Sequence, residues 1–563
     1  MSRRRVVRAA GTSLRQLTVM QRAGLIDLRR PAELVRTART MRTLGPIAGG
    51  IRTSARRVPD RIALVDGTRR VSYGELDRRT DAIAARWHGE GLSARDTIGV
   101  LAPDGLTLVE TMAAAAKLGS KLVLLNTGFA AAQLRDVLVR EQVGALVLDP
   151  ALSEHATDLP EGITLLDPSP SPAAESTASG ARTAADASRG DDRHAAGTAG
   201  RSAHHGRWPG RLAESRARLP DPARQGGFVL LTGGTTGTPK GAPRRVESPL
   251  AGAQFVDRVP LRRGQTMLLC APLFHGTALS QFILALNLGS TIVLHGKFDA
   301  ARALAQLTEH RAEMIVVVPT MLRRILDLGP RALTAADTSA LRIVFTAGAA
   351  LPSSLGTRAI ETFGPVLYNF YGCTETGTAT IATPEDWIAA PGTVGRAPVG
   401  ITVALFDGDT PVTAPGAVGT VHVGNSIAFH GYSGGGSKQV RHGLMSTGDL
   451  GHFDSGGRLF IDGRDDDMIV SGGENVFPGE VEDLLYRHPA VTEAAVIGIP
   501  DDEFGQRLAA FVVRAADLDA DAVRAYVKDN LARFKAPREV VFVDELPRTP
   551  TGKIDRRGLA ALR

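Results

Sequence analysis

The chain has 563 residues, 43% apolar and 22% charged, which excludes collagen, coiled-coil and wholly disordered classes and leaves room for several cores. Cys270 and Cys373 are the only cysteines, excluding a disulfide scaffold and a zinc-type Cys/His cluster and pointing to a reducing compartment. The net charge of +7 is unevenly placed: residues 1–57 hold fourteen arginines against Asp27 and Glu33, a balance of +12 that leaves −5 on the rest, unlike a nucleic-acid-binding core.

Within that basic segment Leu14, Leu17 and Met20, then Leu25, Leu28 and Leu34, follow helical spacing. Three readings fit: a basic amphipathic helix on anionic lipid, a partly helical extension packed on the body, and an organelle transit peptide. Arg8 and Arg15 interrupt any secretory h-region, and the charge-free stretch 264–296 is broken by polar residues and glycines, so no spanning helix is expected. Globular sequence starts at Val58. Strands are expected at 61–66 and 70–73 around Gly67, and a helix over 74–91. The apolar runs 96–103, 121–126 and 143–149 alternate with helical stretches, the pattern of an α/β layer fold. Residues 168–225 are rich in Pro, Ala, Ser, Gly and Arg and read as a low-complexity insertion. His194, His204 and His205 lie in it without the Cys or acidic framework that a metal site needs.

The runs 228–232, 314–318, 342–346 and 366–370 each end in small residues or a turn, where open α/β sheets bind ligands. A β-rich stretch follows (401–406, 419–423, 458–461). Residues 466–563 then read as a compact unit, with helices at 478–486 and 519–531 and strands at 494–499, 508–513 and 540–543. The expected division is a basic extension (1–57), a large domain (58–465) and a small C-terminal domain (466–563).

The strand at 228–232 leads into Leu231-Thr-Gly-Gly-Thr-Thr-Gly-Thr-Pro-Lys240-Gly241. Such a loop offers backbone N–H groups, hydroxyls and one ammonium to phosphate oxygens, and its glycines curl without Cβ clashes. It is not a Walker A loop, because the position five after Gly234 is Pro239. Further along come Tyr371-Gly372-Cys373-Thr374-Glu375, Ser446-Thr447-Gly448-Asp449, Asp462-Gly463-Arg464-Asp465-Asp466, Ser471-Gly472-Gly473-Glu474-Asn475 and Pro547-Arg-Thr-Pro-Thr551-Gly552-Lys553. Ala271-Pro-Leu-Phe274-His275 and Thr346-Ala-Gly348-Ala349-Ala350 accompany them. Singly, most would be turns or helix starts.

Together and in this order, they resemble the adenylate-forming superfamily of acyl-CoA synthetases, luciferases and peptide-synthetase adenylation domains. Within it the chain is most similar to bacterial fatty-acid–CoA ligases. The resemblance runs from about Val58 to Lys553, interrupted by the insertion. It departs from the family pattern at Gly233, where Ser is usual.

The resemblance implies an α/β fold: a large N-terminal domain of mixed α/β sheets with a β-rich subdomain, and a small mobile C-terminal α+β domain hinged at Asp466. It implies ATP, Mg²⁺ and coenzyme A as partners. Thr232, Gly234, Thr235, Thr236, Gly237 and Lys240 would cradle phosphates. Glu375 and Thr235 would hold Mg²⁺. Tyr371, Gly372, Gly348 and Ala349 would border adenine, and Thr374 would bond the α-phosphate. Asp449 would accept from the ribose hydroxyls and Arg464 would reach ribose or phosphate. Gly473 would admit the pantetheine arm, and Lys553 would be the mobile catalytic ammonium. Phe274 and His275, with Phe282, Ile283 and 314–318, would line the acid pocket. Cys373, at a variable position, reads as buried filler and not as a nucleophile.

The expected reaction joins a carboxylic acid, expected to be a medium- or long-chain fatty acid, to CoA through acyl-AMP. Alternatives are an aryl-acid–CoA ligase, a fatty acyl-AMP ligase loading an acyl carrier protein, a luciferase-like oxygenase and a non-catalytic membrane adaptor. A cytoplasmic location, with peripheral contact at the inner membrane face through residues 1–50, is the matching expectation.

Overall fold

The computed structural model describes residues 3–169, 221–222, 225–232, 240–244, 250–425, 427, 431–433, 435–464, 469–471, 474–501, 505–531, 533–549 and 553–562. The expected insertion therefore lies almost wholly outside the described residues, as do His194, His204 and His205.

Among the described residues, four sheets carry the chain. The first has eight strands, ordered Gly377–Ala382, Leu367–Cys373, Ile343–Thr346, Met314–Val317, Thr266–Leu269, Thr291–Leu294, Ile62–Asp66 and Arg69–Ser72. Its six inner strands are parallel and the two edge strands antiparallel. Met314–Val317 and Ile343–Thr346 are buried at every position, which is why they read as unbroken apolar runs and not as alternation. The second sheet orders Thr164–Leu165, Ala145–Leu148, Thr97–Leu101, Lys121–Leu124, Phe228–Thr232 and Lys240–Arg244, antiparallel only at the last pair. The third is an antiparallel sheet around Leu444–Phe453, with Gly419–Gly424 on one side and Leu459–Arg464 pairing on the other. A small C-terminal unit holds the fourth, built on the long pair Val491–Asp501 and Gly505–Arg514. This is the expected fold class: mixed α/β sheets with a β-rich part and a small α+β unit.

The first two sheets share one apolar core with the helices that connect them. In chain order these are α1 (Arg3–Ala23), α2 (Pro31–Arg57), α3 (Tyr73–Gly89), α4 (Leu106–Leu118), α5 (Ala131–Arg140), α6 (Ala253–Val256) and α7 (Gly276–Leu288). Of these, α5 belongs to a separate small cluster on the second sheet. Pro31 opens α2, and the helix bends where Gly45 takes φ 74° ahead of Pro46, a pair that breaks the hydrogen-bond ladder. Beyond the bend Ile47, Ala48, Ile51 and Ser54 are buried. The Ser54 hydroxyl donates to Leu286 O at 2.7 Å and Arg57 to Asn287 O at 2.9 Å, fixing α2 to α7. The basic N-terminal segment is thus helical and packed on the body, the second of its three readings. Leu14, Leu28 and Val35 nevertheless stay exposed among arginines, the feature on which a lipid contact would rest. No helix among the described residues is long and apolar enough to cross a membrane.

A charged knot joins α2, α3 and α4. Arg52 lies 2.6 Å from Asp77 and 2.5 Å from Asp81, and the Lys117 ammonium is 2.8 Å from both carboxylates. The Lys117 side chain is 1% exposed, so its charge depends on these partners. Burial pushes the Asp77 carboxyl up, but Lys117 and Arg52 outweigh it and hold the group below the usual carboxylate range.

Two of the motifs lie in strands. Tyr371, Gly372 and Cys373 continue the strand Leu367–Cys373, and Thr447 to Asp449 lie inside the ten-residue strand Leu444–Phe453. Gly372 is required by this pairing, because a Cβ there would collide with the carbonyl oxygen of Gly377 on the antiparallel neighbour.

Asp77→Ala, which leaves Lys117 and Arg52 to share the half-exposed Asp81, is expected to cost about 3 kcal/mol in the midpoint-derived stability from urea unfolding. A loss within experimental error would show the knot to be dispensable.

Candidate active site

A cavity of about 2000 Å³ opens where strand ends of the first three sheets meet the C-terminal unit. Each element delivers a side chain with specific chemistry. From the first sheet Tyr371 reaches across to the third, its hydroxyl donating to Asp449 Oδ2 at 2.6 Å and to Thr447 Oγ1 at 3.2 Å. Arg464 is opposite Asp449 in the strand register, its guanidinium 3.7 Å from Oδ1. Burial pushes the Asp449 carboxyl up, while Tyr371, Arg464, Thr447 and Lys553 draw it back.

Glu375 follows the same first-sheet strand and is buried. It accepts a hydrogen bond from the Tyr432 hydroxyl at 2.6 Å, and the Lys240 ammonium stands 5.4 Å from the centre of the Tyr432 ring. One tyrosine therefore braces both the carboxylate and the ammonium. Burial, followed by the hydrogen bond and charge of Glu375, raises the Tyr432 phenol, so it remains a donor.

Lys553 enters from the C-terminal unit, its backbone oxygen accepting from the Thr549 N–H at 2.8 Å. Its charge is felt at Asp449 and at His275, whose imidazole is pushed down to about 4 by burial first and by Lys553 second. Arg323 holds the C-terminal unit in this pose. It donates to Thr492 O at 2.7 Å, pairs with Glu493 at 3.1 Å and lies 4.8 Å above the ring of Tyr486. Glu493 also receives Arg548 at 2.9 Å, and the Ser353 N–H donates to Asp483 at 3.0 Å.

The other end of the cavity is apolar. Phe274 and His275 precede α7, where the Leu273 N–H donates at 3.0 Å to Asp104, a carboxyl pushed up to about 7 by burial. Phe255, Ile283 and Val318 continue the wall, and Phe255 stacks on Phe370 at 6.4 Å. Two expectations need correction. Phe282 is fully buried in the core on the far side of α7, and Met314–Val317 is an interior strand, so of these only Ile283 and Val318 line the cavity. Consecutive helical residues are turned about 100° from each other, which parts Phe282 from Ile283, and the two-sided burial of the strand accounts for the rest.

Of the expected site residues, Lys240, Gly348, Ala349, Tyr371, Gly372 and Thr374 line this one cavity. So do Glu375, Asp449, Arg464, Lys553, Phe274 and His275. Gly234, Thr235, Thr236, Gly237, Asp466 and Gly473 lie outside the described residues, and Thr232 is described only as the backbone partner of Lys240. Sequence reading missed Tyr432 and Arg323. The first had a signal, a tyrosine among only six, set in the glycine-rich run 431–436. Arg323 had none, because its partners are 169 and 170 residues away. Among the described residues no three His, Cys, Asp or Glu side chains cluster as a metal cage. A single carboxylate such as Glu375 instead suits Mg²⁺, which takes one or two carboxylates alongside substrate phosphates.

Residues 51–433 match the family described as AMP-binding enzyme, and residues 480–553 match the AMP-binding enzyme C-terminal domain. The chain is 31% identical over 512 residues to an indoleacetate–CoA ligase of Aromatoleum aromaticum, covering 88% of this chain and 94% of that one. Among solved structures it is similar to o-succinylbenzoate CoA synthetase from Bacillus subtilis in complex with the acyl-adenylate intermediate OSB-AMP, with a TM-score of 0.73, 25% identity and coverage of 91% and 97%. It is also similar to a Mycobacterium tuberculosis fatty acyl CoA synthetase, with a TM-score of 0.65, 26% identity and coverage of 92% and 98%.

Cys373 lines the cavity, yet burial, then Glu375, pushes its thiol up to about 11. In the folded protein at pH 8, both cysteines should resist iodoacetamide and react only after unfolding, read by intact-protein mass. Rapid labelling of folded Cys373 would contradict the thiol state derived from its burial.

Proposed function

Because the chain belongs to the AMP-binding enzyme family, we propose that it is an AMP-forming acid–CoA ligase whose acid is a medium- or long-chain fatty acid. The carrying observation is the convergence of Lys553, Asp449, Glu375 and Lys240 at one end of a cavity whose other end is apolar.

In the first step a carboxylate oxygen of the acid attacks the α-phosphorus of ATP, forming the acyl–phosphate bond as pyrophosphate leaves. Asp449, oriented by Tyr371, accepts from the ribose hydroxyls, and Arg464 neutralises it from the other side. The ammonium of Lys553 faces the charge that grows on the α-phosphate oxygens, which is where an electrostatic contribution accelerates the step. The neutral His275 keeps a second cation out of the acid's path. Glu375, held by Tyr432, together with phosphate oxygens, is the site for Mg²⁺, which offsets phosphate charge when bound. Thr235 and Thr236 complete the phosphate loop in this reading. In the second step the CoA sulfur forms a thioester at the acyl carbon, AMP leaves, and the thiol proton is released. The Arg323 contacts must open for the C-terminal unit to turn about Asp466 and bring the Gly473 loop to the site.

The apolar wall and the relation to the fatty acyl CoA synthetase support an aliphatic acid. A second reading, an aryl acid, is favoured by the indoleacetate and o-succinylbenzoate relatives and by the Phe255–Phe370 stack.

CoA-dependent AMP release across saturated fatty acids of graded length, indole-3-acetate and 2-succinylbenzoate separates the two. Highest kcat/KM with an aryl acid would overturn the aliphatic reading. Accumulation of acyl-AMP without acyl-CoA would move the acceptor to a carrier protein. Lys553→Ala is expected to slow acyl-AMP formation at least ~100-fold while leaving the unfolding midpoint unchanged; unimpaired adenylation would remove Lys553 from the first step.

A further inference from the structure

The family match begins at residue 51, yet the cavity does not end there. Leu34, Thr37, Ala38 and Met41, at spacings of three and four residues, form one face of α2 ahead of its bend, and all four line the cavity. The opposite face carries Arg36, Arg39 and the 69%-exposed Val35, whereas in the stripe Leu34, Thr37 and Met41 are half-buried, Ala38 is open to the cavity, and Arg42 borders the cavity at the edge of the stripe.

Three anchors hold it there. The Asn287 amide of α7 donates to Pro46 O at 3.0 Å, at the bend itself. Past the bend, a Cβ on Gly49 would stand 3.0 Å from the Met41 sulfur, so the two halves of α2 fold against each other. Leu25, in the connection from α1, comes within reach of Gly252 just before α6, and Arg263 donates to Gly24 O. The hairpin therefore bears on α6 and α7, the two helices whose Phe255 and Ile283 form the body's side of the apolar wall.

The direction along α7 identifies the ligand. His275, near Lys553, immediately precedes its first turn, and Asn287 near its C-terminus meets the bend of α2; both line the cavity. Twelve residues of helix separate them, about 18 Å. A short acid activated beside Lys553 leaves that span empty, whereas a long aliphatic chain fills it and reaches the stripe. We propose that Leu34, Thr37, Ala38 and Met41, with Leu25, form the distal wall of the acid pocket and select acids by the length of their apolar body. The proposal rests on the ligase reading for its substrate, but the wall itself is a property of the packed N-terminal helices.

Photolabelling tests it on the unmodified full chain. A saturated long-chain fatty acid carrying a terminal diazirine is irradiated with the protein, ATP and Mg²⁺, then mapped by peptide mass. Label within residues 34–41 is expected, and its absence there overturns the proposal. In parallel, Ala38→Trp should lower kcat/KM for the longest accepted acid at least about ten-fold while leaving the shortest accepted acid and the KM for ATP unchanged. An unaltered chain-length profile also overturns it. If no acid gives AMP, the ligase reading fails, and the label position still decides the wall.

Discussion

The hydroxyl of Tyr371, donating to Asp449 across 2.6 Å, couples the polar chemistry of two sheets that also share a small core of Ala379, Leu405, Val421, Val423 and Leu459. Tyr371 stands on a parallel α/β sheet and Asp449 on an antiparallel one. Each strand needs its glycine at that point: Gly372 lets its antiparallel neighbour approach, and Gly448 takes φ 83° beside Asp449. Once this pair is set, Arg464 follows from the strand register, and Glu375 lies four residues beyond Tyr371, where Tyr432 reaches it. The polar end of the cavity is a consequence of sheet pairing more than of loop conformation.

The C-terminal unit adds the group that the large domain lacks. Its own core is separate, so its placement rests on a few polar contacts centred on Arg323, Glu493 and Asp483. Contacts of that kind are individually modest and partly solvent-exposed, which suits the turning proposed above for this unit. Lys553 sits at the end of that lever, where its charge acts on both His275 and Asp449.

At the opposite end, the positive N-terminal segment changes meaning once folded. Fourteen arginines left a lipid-facing helix, a packed extension and a transit peptide open as readings. The bend at Gly45–Pro46 instead separates a buried second half, pinned by Arg52 to the Asp77–Lys117 knot, from a first half that closes an apolar cavity. Of the arginines in this first half, Arg36 and Arg39 lie on the outer face, while Arg42 borders the cavity beside Met41.

Sequence by itself determined the α/β class and the order of the motifs. Through the resemblance of their motifs it also singled out Lys240, Glu375, Asp449 and Lys553, which the fold gathers at one cavity. It placed Tyr371 at the site but not its role as the donor that orients Asp449, since the partners are 78 residues apart. Tyr432, Arg323 and the inward face of α2 were decided only by tertiary structure. Their roles arise from contacts between distant segments, and Phe282 shows the same limit from the other side: helical periodicity names an apolar residue without saying whether core or cavity lies beyond it.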